Sequence, residues 1–356
     1  MNTRAVDAIA NAVLYEGYML YPYRPSSVKN RQRFNFGIIH PRAWSESQTG
    51  SDIWTMQTEC LVEGSLFTAV ELQVRFLQLM NRSVGKVIEA GVVSQAGTKP
   101  PYELVPVLEV NGELFQPWQE AIERNVAVPP CNLEALVAAP LELPFSFVEG
   151  RSIEHVCDKE AEDRIVGVLV RDQAALRGSI EVSATLPLPG VFRVTVRIKN
   201  LTFINSSQQI TRDHVLMRSL LSAHTVLGAV DGKFVSLLEP PTNLSELASN
   251  CQNAGTWPVL VGEPGQRDIM LSSPIILYDY PQIAPESPGD LFDGTEIDEI
   301  LALRIMTMTD DEKREMRYSD ARARKILERT EGLSAEHLMK LHSTLRDLHP
   351  LGKETP

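Results

Sequence analysis

The chain is poor in the residues that would commit it to the commonest specialised classes. Its 356 residues hold four cysteines, Cys60, Cys131, Cys157 and Cys251, scattered with no CxxC pair. That spacing does not suggest a disulfide framework or a zinc ribbon, and free thiols in or near the core are expected. No apolar run approaches the ~20 residues that a membrane-spanning helix needs. The opening MNTRAVDAIANAV lacks a long apolar core and a small-residue cleavage site, so it does not read as a secretory signal, and a cytoplasmic location is expected. The glycine-rich nucleotide fingerprints, GxSxG, HExxH and the kinase motifs are all missing. The hydrophobic fraction of 43% with 22% charged residues is that of an ordinary globular protein, which argues against wholesale disorder. Formal net charge is -12, which disfavours nucleic acid as a partner.

Against that acidity one stretch is inverted. Between Glu16 and Glu46 there is no acidic residue, while Arg24, Lys29, Arg31, Arg33 and Arg42 are interleaved with Tyr18, Tyr21, Tyr23, Phe34, Phe36 and Trp44. Guanidinium groups bind carboxylate or phosphate in two-pronged fashion and rings supply rigid contact area, so this composition suits recognition. It equally suits an edge segment whose rings plug the core and whose cations sit in water. Tyr21, Tyr23, Arg24, Lys29, Arg31, Arg33 and Arg42 are the candidate partner- or ligand-binding residues. Pro22 and Pro25 forbid helix across 21–25, so the stretch is expected as loop and strand.

Three segments follow from pattern: an N-terminal helix and the basic-aromatic stretch over 1–45, a mainly β core over 46–285, and a helical appendage over 286–356. Val6, Ile9, Ala10, Val13 and Leu14 recur at helical spacing. Val70, Leu72, Val74 and Phe76 alternate with polar residues, and the preceding IWTMQTECLV, with Glu63-Gly64-Ser65 between, is expected to be their hairpin partner. A second hairpin joins GSIEVSATL through Pro187-Leu188-Pro189-Gly190 to the alternating Phe192, Val194, Val196 and Ile198. Leu72 can be laid on Val194 and Val74 on Val196, which a duplicated β unit would produce and any two amphipathic strands would produce too. Asn111-Gly112 predicts a tight turn. The run 211–230 has helical spacing through Val215, Leu216, Leu220, Ala223 and Leu227, with Thr211 as N-cap. WPVLVGEPG and SSPIILYDYP read as short buried strands. Beyond the linker-like APESPGD, Thr295, Thr309 and Ser334 announce three helices, TDDEKREM being the best capping box. The fold class expected is α+β: a mainly antiparallel β core with packed helices and an α-helical C-terminal appendage.

Of seven histidines, His155 lies beside Glu154, Cys157 and Asp158, and His214 and His224 share the helix expected over 211–230. Neither set has a specific ligand spacing. No metal, cofactor or catalytic residue is therefore assigned.

The stretches LYEGYMLYPYRPSSVKNRQRFNFG (14–37), SSPIILYDYPQIAPESPGDLFDGTEIDEILALR (272–304) and TMTDDEKREMR (307–317) resemble an uncharacterised bacterial family encoded beside [NiFe] hydrogenases of the actinobacterial, high-affinity type. The resemblance implies a neighbourhood and no catalytic residues. The leading expectation is a non-enzymatic accessory, assembly or scaffold protein whose partners are hydrogenase subunits or maturation proteins. The alternative is an enzyme or anionic small-molecule binder using the Arg24 to Arg42 segment, and metal delivery through Cys157 and the histidines is a third option.

Overall fold

The structure is a computed structural model that describes residues 6, 7, 9–11, 14, 36–50, 52–88, 99–158, 164–205, 210–282, 305–319 and 321–332. The protein is α+β, mainly antiparallel sheet with packed helices and a C-terminal helical segment. No helix among the described residues is long and apolar enough to cross a membrane.

Two antiparallel sheets face each other. The five-stranded sheet runs β13 (Lys233–Phe234), β1 (Thr55–Glu63), β11 (Val191–Asn200), β10 (Leu176–Leu188) and β7 (Leu141–Phe147). The eight-stranded sheet runs β14 (Trp257–Leu260), β15 (Ile269–Ser273), β12 (Leu221–Val230), β2 (Ala69–Val87), β9 (Arg164–Gln173) and β8 (Gly150–Asp158), with β3 (Tyr102–Val105) and β6 (Trp118–Asn132) also pairing β2. At 19 residues, β2 is long enough to pair with β12 and then β9, and with β6 and then β3. The main core lies between the sheets. It takes Val70, Leu72, Val74 and Phe76 from one, and Met56, Cys60, Val62, Ile180, Val182, Val194, Val196 and Ile198 from the other. Alternation puts these residues on one face of each strand, and burying each stabilises the fold by roughly 1.5–3 kcal/mol.

The β10–β11 hairpin forms as expected, Ile180 opposite Ile198 and Val182 opposite Val196, with Gly190 at φ 77 in the turn. Asn111 (φ 51) and Gly112 (φ 76) turn the β4 (Leu108–Val110) to β5 (Glu113–Phe115) hairpin. The expected β1–β2 hairpin does not form. β1 pairs with β11 and β13, and residues 64–68 carry the chain across to the other sheet. Alternation tells which face of a strand is buried and is silent about its neighbour. Here β11 offers the better edge, because Arg197 donates to Gln57 (2.7 Å) and Thr195 to Glu59 (3.2 Å) directly across the ladder. With one of the two hairpins gone, the overlay that suggested duplication loses its basis.

The helix expected over 211–230 is also corrected. Thr211 does cap a helix, its hydroxyl accepting from His214 N, but that helix, α3 (Arg212–Leu216), stops after one turn and the chain enters β12. β12 lies between β15 and β2 with both faces covered, so its apolar residues do not alternate, and period alone cannot separate such a strand from a helix. His214 and His224 therefore sit on different elements. WPVLVGEPG contributes β14 as expected, whereas in SSPIILYDYP only Ser272 and Ser273 belong to a strand.

Helices cover the outer faces. Val6, Ile9 and Ala10, in the N-terminal helical turns, pack on Val226, Val259 and Leu271, and Leu14 packs on Leu77, Leu79, Met217 and Leu221. α4 (Ser245–Ser249) covers Leu61 and Val191 on the five-stranded sheet. In the appendage, α5 (Asp310–Ser319) opens with a reciprocal capping box, Glu312 N donating to Thr309 Oγ1 (3.3 Å) and Thr309 N to Glu312 Oε2 (2.8 Å). α5 and α6 (Ala321–Glu331) dock in cis: Arg314 reaches Glu109 (2.5 Å) and Gly112 O (3.0 Å) on the β4–β5 hairpin, and Ile326 packs against the Leu14–Leu77–Leu79 cluster. The helices expected after Thr295 and Ser334 lie outside the described residues.

Candidate functional site

Of the predicted site residues, Tyr21, Tyr23, Arg24, Lys29, Arg31 and Arg33 lie outside the described residues. Arg42 opens α1 (Arg42–Ser47) at the surface, where its guanidinium bonds Glu46 (2.7 Å) and stacks over the Trp54 ring at 4.7 Å. The C-terminal end of the basic-aromatic stretch is strapped to the start of β12 by Ile39 N to Leu220 O (2.8 Å), Ser222 N to Phe36 O (2.9 Å) and Ala223 N to Gly37 O (3.1 Å). Buried Asn200 braces the strap, donating to Ile39 O and Arg218 O.

At this strap the tertiary structure assembles a serine, a histidine and an aspartate that are distant in sequence. His40 Nδ1 lies 3.4 Å from Ser219 Oγ, and His40 Nε2 lies 3.3 Å from Asp52 Oδ1. The residue types are those of a nucleophilic triad, but the geometry is that of a strut. Ser219 is 0% exposed and donates its hydroxyl proton to Val215 O (2.8 Å), so it has neither a path to substrate nor a proton for His40 to take. Burial lowers the His40 pKa, assisted by Arg212 and opposed by Asp52, so the ring is neutral near neutrality. Burial pushes Asp52 upward, yet the Trp44 indole bond (3.0 Å), His40 and Arg212 outweigh it and hold the carboxyl below the usual carboxylate range. The cluster ties 40–52 to α3. No spacing signal in the sequence could have found it.

Two surface features are better placed to meet another molecule. The first is a cleft of about 600 Å³ on the outer face of the eight-stranded sheet, lined by Asp7, Asn11, Gln73, Arg75, Glu123, Arg124 and Asn125. β2 supplies Gln73 and Arg75 from its outward positions, β6 supplies 123–125, and the N-terminal helical turns place Asp7 and Asn11 above them. Arg75, with only 11% of its side chain exposed, donates to Asn11 Oδ1 at 2.5 Å. Its distances to Asp7 and Glu123 are 3.8 Å each. Asn125 donates to Gln73 (3.0 Å). The Arg124 guanidinium is held by Gln78 (2.8 Å) and lies over the Phe147 ring at 4.6 Å, against the main core. Directly across the ladder from Arg75 sits His224, fully buried; burial depresses its pKa to about 4, and its Nε2 has no hydrogen-bond partner.

The second feature is an apolar end of the sandwich. Phe67, 80% exposed, stands at the tip of the β1–β2 loop with Leu66. Three neighbouring segments present Val137 from α2 (Leu133–Ala138), Leu186 and Leu188 from the end of β10, and Val230 from the end of β12. Hydrogen bonds hold these segments together: Glu134 N donates to Leu66 O (3.0 Å), Gly64 N to Gly190 O (2.9 Å), and the Thr68 hydroxyl to Asp231 O (2.8 Å). Solvent-facing apolar side chains on such well-tied turns form a preorganised contact surface.

All four cysteines are free thiols: Cys60 is buried, which pushes its pKa up, and the others are half-buried. Among the described residues, no group of three or more His, Cys, Asp and Glu side chains is placed to hold a metal ion. Compared with models of known protein families and with curated proteins, the chain matches none.

Proposed function

We propose that the chain is a non-enzymatic accessory, assembly or scaffold protein of a [NiFe] hydrogenase system, working in the cytoplasm by docking hydrogenase subunits or maturation proteins. The observation that carries the docking role is the apolar end of the sandwich, where Leu66, Phe67, Leu186 and Leu188 face solvent on hydrogen-bonded turns. Exposed aromatic and aliphatic anchors on a rigid frame are what a protein interface concentrates its affinity in. The hydrogenase assignment rests on the family resemblance of 14–37, 272–304 and 307–317, and the basic-aromatic residues Tyr21 to Arg42 supply a second contact to a partner of opposite charge.

The test is co-purification of the tagged full-length chain from a host expressing its hydrogenase. Hydrogenase subunits or maturation proteins are expected with the parent chain and are lost with Leu66→Ser/Phe67→Ser. Arg31→Glu/Arg33→Glu weakens the same recovery. If no hydrogenase protein is recovered, the assignment fails. Undiminished recovery by a folded Leu66→Ser/Phe67→Ser variant would move the interface elsewhere.

A further inference from the structure

We propose that the outer edge of β7 binds an extended strand donated by another polypeptide, apolar at alternate positions, with a basic residue opposite Glu142 and an acidic one opposite Ser146. The site does not rest on the hydrogenase assignment.

β7 closes one side of the five-stranded sheet, pairing with β10 from Leu141 opposite Val182 to Phe147 opposite Leu176. Among the described residues no strand pairs with its other edge, which leaves a row of main-chain groups there for a partner. The inward side chains Leu141, Leu143, Phe145 and Phe147 pack against the main core yet stay half-buried, as does Val126 on β6. Strand addition meets both needs at once: the donor main chain continues the ladder, and its alternate apolar side chains finish covering that row. An amphipathic helix would cover the side chains and leave the ladder unpaired.

The outward side chains set the charges. Glu142 lies directly opposite Glu181, whose carboxylate is taken by Arg197 and Lys199 on its far side. Glu142 is exposed and, among the described residues, engaged in no ion pair, so the cation that suits it must come from the open side. Four residues on, Ser146 lies opposite the exposed Arg177. Serine is too short to screen that guanidinium, which is long enough to reach across it to an acidic side chain on the donor. A second copy of this chain fits poorly. Two β7 strands laid antiparallel with Leu141 facing Phe147 would set Pro144 against Pro144, each without an N–H, and would offer Glu142 no cation.

Fluorescence anisotropy on the full-length chain tests this with the labelled peptide Val-Glu-Val-Thr-Val-Lys-Val. It is expected to bind with a Kd of about 100 μM or tighter, and to slow amide exchange over 141–147. Val-Glu-Val-Thr-Val-Glu-Val, which loses the cation opposite Glu142, is expected to bind about two- to fivefold more weakly. With the exposed substitution Glu142→Gln the two peptides should bind alike, and the fully N-methylated first peptide should not bind. The proposal is overturned if the first peptide does not bind at about 1 mM, or if it binds and leaves exchange over 141–147 unchanged. It is equally overturned if the charge preference is absent or survives Glu142→Gln, or if N-methylation leaves affinity intact. Sedimentation as a dimer whose 141–147 amides are protected without peptide would give the edge to a second copy and overturn it too.

Discussion

Replacing Ser272 by alanine probes the polar link between the two sheets. Thr58 Oγ1 on β1 lies 2.6 Å from Ser272 Oγ on β15, which lies 2.7 Å from Thr256 Oγ1, which donates to Ser273 O at 3.0 Å. A carbonyl can only accept, so Thr256 spends its proton there. It follows that Ser272 donates to Thr256, and Thr58 to Ser272. All three residues are at most 2% exposed, so water cannot substitute for a missing partner. Ser272→Ala removes two hydrogen bonds and orphans the Thr58 hydroxyl, at a cost of about 2–3 kcal/mol. Thr58→Val removes only the terminal donor, since Ser272 keeps its bond to Thr256, and costs about 1 kcal/mol. The double variant has no orphan, so its cost falls short of the sum by about 1–2 kcal/mol. Urea unfolding at constant pH reads the three values from shifts in midpoint at unchanged m. Costs that add to within about 0.5 kcal/mol would refute the relay.

Acid should destabilise the protein before its carboxylates titrate. His224 has a folded pKa of about 4 against 6.5 unperturbed, so the native state binds fewer protons; stability is complete above about 6.5 and falls by about 3 kcal/mol as pH approaches 4. His40 acts in the same direction. Glu181, lowered by its bonds to Lys199 and Arg197, begins to count only below its ordinary 4.5. Urea midpoints measured across pH 7.5 to 5 should therefore decline in the parent and flatten in His224→Gln, and equal slopes would exclude the histidine. Thr309→Ala should cost the first turn of α5 about 1 kcal/mol, read as faster amide exchange over 310–313, with the β sheets unaffected. Gly178→Ala would push a methyl group onto the Phe145 ring and the Lys199 carbonyl, lowering stability by about 1–3 kcal/mol in thermal unfolding, whereas Gly112→Ala at the open hairpin tip meets only its φ penalty.

Local features were the legible ones. Pro189-Gly190 and Asn111-Gly112 state their turns because positive φ is a property of the residue, and the Thr309–Glu312 box states its helix start because both partners lie within one turn. Of the predicted site, only Arg42 is described, and it is engaged with Glu46 and Trp54. The Arg75 cleft had no signature: its lining comes from Asp7 and Asn11, Gln73 and Arg75, and residues 123–125, and Arg75 reads in sequence as an ordinary outward residue of an alternating strand.

The sequence by itself determined which faces are buried, where the short turns fall, where α5 begins, and hence the α+β class, because these depend on neighbours a few bonds away. Tertiary structure alone decided that β1 leaves β2 for β11, that 221–230 is strand, and that His40, Asp52 and Ser219 meet. Pairing is a competition among edges distant in the chain, and a strand buried on both faces loses the alternation that would name it.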